Sequence, residues 1–125
     1  MRLNQVTVAV TDVGRAVAFY RRLGLKPIVL TDHYVRFELP EGGSTFSVHA
    51  QAAPVRSDTI VYFECEDLDA RCAALTEAGV VFDEPPADRS WLWREARLRD
   101  PDGNPICLFF GGENRLDPPW RVREE

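Results

Sequence analysis

The chain is poor in the residues that build metal and redox centres. It has two histidines, one methionine and three cysteines in 125 residues. Cys65, Cys72 and Cys107 are odd in number and lack CxxC spacing. They read as reduced thiols, not as a disulfide framework or a zinc site. No apolar run approaches the roughly 20 residues of a membrane helix, and the N-terminus lacks a secretory-leader pattern. Basic residues are outnumbered, with 15 Lys and Arg against 20 Asp and Glu and a formal net charge of −5. That argues against a nucleic-acid partner, whose phosphates require a basic surface. It mildly favours a neutral or cationic small ligand. The expectation is a soluble cytoplasmic protein with no membrane partner.

What remains is an ordinary globular composition, 45% hydrophobic and 28% charged. The length fits one domain able to bury about two-thirds of its unfolded surface. An internal repeat organises it. Residues 5–24, QVTVAVTDVGRAVAFYRRLG, align without a gap on residues 60–79, IVYFECEDLDARCAALTEAG. Each copy has an alternating run, an Asp, an amphipathic segment and a closing Gly. Asp12 and Asp67 suit helix N-caps, and Gly24 and Gly79 suit the left-handed position after a helix. The helical stripes are Val13, Val17, Tyr20 and Leu23, then Leu68, Cys72, Leu75 and Ala78. Further strands are expected near 26–30, 34–39 and 45–50, and again near 80–83, 92–98 and 106–110. The turns PEGGS and DPDGN separate the last two strands of each copy. The chain therefore reads as α+β, one domain (1–112) of two βαβββ modules (1–53 and 56–112) with a C-terminal arm (113–125).

Strand parity assigns faces. Val6, Val8 and Val10, with Val61, Phe63 and Cys65, should face the helices. Phe46, Val48 and Ala50, with Ile106, Leu108 and Phe110, should join them. Gln5, Thr7 and Ala9, with Ile60, Tyr62 and Glu64, then line the far faces beside Ser47, His49, Cys107 and Phe109. Such a mixture is poor core and suits a ligand site.

The paired modules, the opening NQVTVAVTDVGRAVAFYRRLGL and the turn DPDGNPICLFF resemble the vicinal oxygen chelate superfamily over residues 3–110. That group includes glyoxalase I, bleomycin-resistance proteins, fosfomycin-resistance enzymes and extradiol dioxygenases. The resemblance implies two modules whose sheets curve into a cleft, and a homodimer. It also implies four equivalent metal-ligand positions, which fall here on Gln5, Ser47, Ile60 and Cys107. Ile60 has no donor atom, Ser47 is a weak ligand and Cys107 is not a carboxylate base. No metal or other cofactor is therefore expected. A displaced divalent-metal site from Gln5, His49, Glu64 and Cys107 is the alternative.

The leading expectation is a metal-independent protein that sequesters a small aromatic or cationic compound. Trp91, Trp93, Tyr62, Phe109 and Tyr34 could stack on it, and Glu64 could pair with a cation. Arg94 could clamp an anionic group; its plainer reading is a surface ion pair. Trp91 and Trp93, read as i and i+2 of one strand, have core packing or a dimer contact as theirs. The alternative function is a glyoxalase-like lyase or isomerase using the displaced metal. His49 and Glu64 would be acid or base, and Cys107 nucleophile or ligand. Set against those roles, Cys107 could be a small buried side chain and His49 a hydrogen-bonded strand residue.

Overall fold

The computed structural model describes residues 1–124. Alternating valines form β1 (Gln5–Val10). Asp12 caps the helix α1 (Val13–Arg22), its Oδ1 accepting the Arg15 N–H at 2.9 Å. Gly24 follows the helix at φ 98°, a left-handed turn that costs glycine little. The half is completed by β2 (Lys26–Leu30), β3 (Tyr34–Glu38) and β4 (Thr45–Ala50). The second half repeats the order as β5 (Val61–Glu64), α2 (Leu68–Glu77), β6 (Phe82–Asp88), β7 (Arg94–Arg99) and β8 (Pro105–Phe110). A single 3-10 turn, Gly112–Asn114, follows.

The strand orders are β1-β4-β3-β2 and β5-β8-β7-β6, so the two βαβββ halves share one topology. β1 and β4 run parallel, while β2, β3 and β4 are antiparallel. This is the expected α+β duplication. No helix among the described residues is long and apolar enough to cross a membrane.

Two compact units divide the chain: residues 1–61 with 99–105, and residues 62–98 with 106 onward. The turn DPDGN thus belongs to the first unit although its flanking strands lie in the second sheet. In the first unit, Tyr20 of α1 packs its ring against Phe46 at 4.7 Å and Phe37 at 5.7 Å. Val10, Val35 and Val48 are buried around them. Each such side chain contributes about 1.5–3 kcal/mol of transfer free energy. Asp100 closes this core. Its Oδ2 accepts the Tyr20 hydroxyl at 2.7 Å and the Asn104 amide at 2.8 Å. Its Oδ1 accepts the backbone N–H groups of Asp102 and Asn104 at 2.9 Å each. Asn104 Nδ2 also donates to the Ala9 carbonyl at 2.9 Å, and the Thr11 hydroxyl donates to Asp102 at 2.6 Å.

In the second unit, Leu68, Cys72 and Leu75 of α2 are buried, with Ile106, Leu108, Ala96 and Leu98 from the sheet. Asp67 holds the cap position but makes no capping bond; at ψ 41° its carboxylate reaches Arg71 Nε at 3.4 Å instead. Ala78 is the exposed C-cap, and Val80 is buried in its place. β6 runs on to Asp88 through Pro85 and Pro86, which an edge strand tolerates because its outer N–H groups need no partner. Phe110 is 41% exposed, while Phe109 is buried.

Candidate functional site

In the first unit, register fixes which residues share the face away from α1. Three rows cross the sheet: Gln5–Thr45–Glu38, Thr7–Ser47–Arg36 and Ala9–His49–Tyr34. Ser47 is wholly buried, its Oγ 2.5 Å from Thr7 Oγ1. Gln5 Oε1 accepts the Thr45 hydroxyl at 2.8 Å. Arg36 Nε donates to the Tyr34 hydroxyl at 3.1 Å, and its guanidinium carbon lies 5.6 Å from the Tyr34 ring centre. The Ser47 hydroxyl, and after it the Arg36 guanidinium and Gln5, pull the Tyr34 phenol below its ordinary range. His49 is exposed, with Nδ1 3.0 Å from Gln51 Nε2. Ile60 is half-buried and precedes β5.

In the second unit the matching face is aromatic. Trp93 and Phe109 stack at 4.5 Å with a 27° interplanar angle. Tyr62 meets both edge-on, at 6.0 and 5.6 Å, and is 43% exposed. Arg97 lies over the Tyr62 ring at 5.7 Å. Trp93 is oriented by its Nε1–H, which donates to the Asn114 carbonyl at 3.2 Å. Glu64 is committed locally: its Oε2 accepts the Gly111 and Gly112 N–H groups at 2.9 and 3.0 Å, and Arg115 Nε lies 3.6 Å from Oε1. Beneath this face lies a residue that sequence reasoning passed over. Glu95 is 1% exposed and accepts from Arg97 at 2.8 Å and from Trp91 Nε1 at 2.9 Å.

Trp91 and Trp93 therefore do not stand side by side on a strand. They flank Leu92, whose φ of 67° turns the chain before β7 begins. Trp91 serves Glu95 and Trp93 serves the aromatic stack. Arg94 takes its plainer reading, a surface ion pair, and clamps no ligand. Arg94 points toward α2, donating to Asp69 at 3.0 Å and Asp88 at 3.1 Å. The odd positions Glu95 and Arg97 share the face with Tyr62. A groove of about 720 Å³ lies on that α2 side, walled by Cys72, Ala73, Val80, Phe82 and Pro86. Its charged members, Asp69 and Arg94, hold each other, so it offers no free polar group to read a ligand.

A family model described as the Glyoxalase/Bleomycin resistance protein/Dioxygenase superfamily matches residues 2–108. The chain belongs to this superfamily. It is 32% identical over 126 residues to the uncharacterized protein YraH of Bacillus subtilis (strain 168), covering 87% of this chain and 98% of that protein. A crystal structure of a protein of unknown function from Agrobacterium tumefaciens str. C58 is 30% identical, with a TM-score of 0.73 over 88% of this chain and 94% of the other. A superfamily structure from Nocardioides is 21% identical and superimposes with a TM-score of 0.77 over 98% of this chain and 90% of the other, a likeness of fold alone.

The superfamily implies a divalent metal, and the residues here do not fit one. Ile60 carries no donor. Ser47 Oγ is taken up by Thr7. Cys107 is fully buried, and burial, and then Glu95, push its thiol up to about 12, so it is a neutral thiol near neutral pH. Glu64 is spent on backbone N–H groups. Among the described residues no three of His, Cys, Asp and Glu gather as a metal site.

Proposed function

We propose that the protein binds a small, planar, largely aromatic compound without a metal, as a sequestering or carrier protein. The observation that carries this reading is the partly open aromatic group Tyr62, Trp93 and Phe109 on one sheet face, with Arg97 over Tyr62. A planar ring that covers Tyr62 gains stacking and edge contacts from side chains already in place, so little ordering entropy opposes binding. The cationic half of the initial expectation has less support, because the Glu64 carboxylate is already engaged. The enzymatic alternative has less support: Cys107 is held as a thiol, and the exposed His49 has an amide, Gln51, as its hydrogen-bond neighbour.

A thermal-shift screen in EDTA tests the reading, using 2-naphthol and aromatic antibiotics including bleomycin-type compounds. A ligand at a hundredfold its Kd contributes about 2.7 kcal/mol, or a rise of roughly 5–10 °C. At least one planar aromatic compound is expected to give such a shift. No shift with any of them, in folded protein, sinks the proposal.

A further inference from the structure

The duplicated fold places an arginine over a tyrosine ring on the equivalent face of each unit. In the second unit this is Arg97 over Tyr62; in the first it is Arg36 over Tyr34. Both arginines sit beside the residues matched by the repeat. Arg36 pairs across the strands with Ser47, and Arg97, whose hold on its proton is raised first by the hydrogen bond to Glu95, has Cys107 near it. The two halves differ in one respect. Two residues before Arg97 stands Glu95, buried, with its carboxylate oxygen 2.8 Å from Arg97 Nη2. Two residues before Arg36 stands Tyr34, which offers a hydroxyl to Nε and no carboxylate.

Arg36 is half-buried and forms no ion pair among the described residues. Glu38 shares its face but is exposed and makes no bond to it. A half-buried guanidinium without a carboxylate is uncommon, because its donors are costly to leave unfilled. The Tyr34 bond fixes Nε and the plane of the fork and leaves the two terminal nitrogens to present parallel N–H groups.

We propose that the first unit carries a carboxylate-binding site, in which Arg36 takes the carboxylate of a small organic acid end-on. In the second unit the chain fills the matching place from within, by Glu95 on Arg97. Tyr34 is a positioning residue that holds the guanidinium plane. The exposed His49 and Gln5 flank the site along its rows. This inference stands on the first unit alone and does not depend on the aromatic face.

The test is an NMR titration of the full chain with benzoate, with the uncharged isostere benzamide and with inorganic phosphate, following the Arg36 Nε–Hε signal. Benzoate is expected to bind at least about tenfold tighter than benzamide and to move that signal, since a charge-assisted fork is worth that much or more, and no less tightly than phosphate. Tyr34→Glu is expected to supply an internal carboxylate, as Glu95 does, and to abolish benzoate binding in a folded protein. Tyr34→Phe should keep the benzoate preference while weakening it several-fold. Equal binding of benzoate and benzamide overturns the proposal. So does a benzoate preference that survives Tyr34→Glu or Arg36→Gln, and so does tighter binding of phosphate.

Discussion

Replacing Asp100 with alanine should lower stability by roughly 3–5 kcal/mol and the melting temperature by about 10–20 °C. The side chain is 4% exposed and accepts four hydrogen bonds, from Tyr20, from the Asn104 side chain and from two backbone N–H groups. Removing it orphans the Tyr20 hydroxyl, which has no exposure at all, and unties the turn from the first unit's core. Tyr20→Phe should cost less, about 1–3 kcal/mol, because Asp100 keeps three donors. The two variants also differ from wild type in alkali. Burial, and then Asp100, raise the Tyr20 phenol far above its ordinary value of 10.0, so the fold favours the neutral form. That contribution is complete below about pH 10 and is lost as pH rises beyond it. Cys107, raised from 9.0 to about 12 chiefly by burial, adds a loss of the same sign from about pH 9 upward. Denaturant titrations at pH 8 and 11 should show wild type losing stability and Tyr20→Phe losing less. Equal alkaline losses would show that the Tyr20 phenol does not set the alkaline stability.

The second large effect concerns binding. Gly111→Ala would put a Cβ 2.8 Å from Trp93 Nε1 and 3.1 Å from its Cδ1 and Cε2. No real Cβ tolerates the shorter distance. The Gly111 backbone is held by its N–H bond to Glu64 at 2.9 Å, so the indole has to yield. The stack of Trp93 on Phe109 is then broken, and the Asn114 bond with it. Overpacking of this kind costs about 1–3 kcal/mol of stability, leaving the protein folded. Affinity for a planar aromatic probe should fall about tenfold or more, since aromatic pairs contribute about 0.5–1.5 kcal/mol each and two are disturbed. Near-ultraviolet circular dichroism reports the indole and calorimetry the affinity. A displaced indole with unchanged affinity would take Trp93 out of the binding face.

Much of this architecture was legible because the sequence repeats. The repeat set the element order, both helix-ending glycines and the parity of β1 and β4, which the register confirms. Residue type did not show which β7 side chains are buried. The odd positions, Glu95, Arg97 and Arg99, are all charged. Glu95 is nonetheless buried, because Trp91 and Arg97 supply its hydrogen bonds from four and two residues away. A left-handed leucine, Leu92, makes that arrangement, and nothing in its side chain announces it. The turn DPDGN was legible as a turn. Its partners Ala9, Thr11 and Tyr20 lie 80 or more residues away, a distance no local pattern encodes. Asp12 and Asp67 occupy equivalent sequence positions, yet only Asp12 caps its helix, because the two differ in backbone angle. Gln5 was correctly placed on the far face, with Thr45 as its partner.

An aromatic ligand should bind this protein with no metal present. The measurement is a calorimetric titration of EDTA-dialysed protein with 2-naphthol, repeated after adding one equivalent of zinc, nickel, manganese or iron(II). One saturable site with the same Kd is expected in every case. Binding that develops only after a metal is restored, or no binding in any of them, would contradict it.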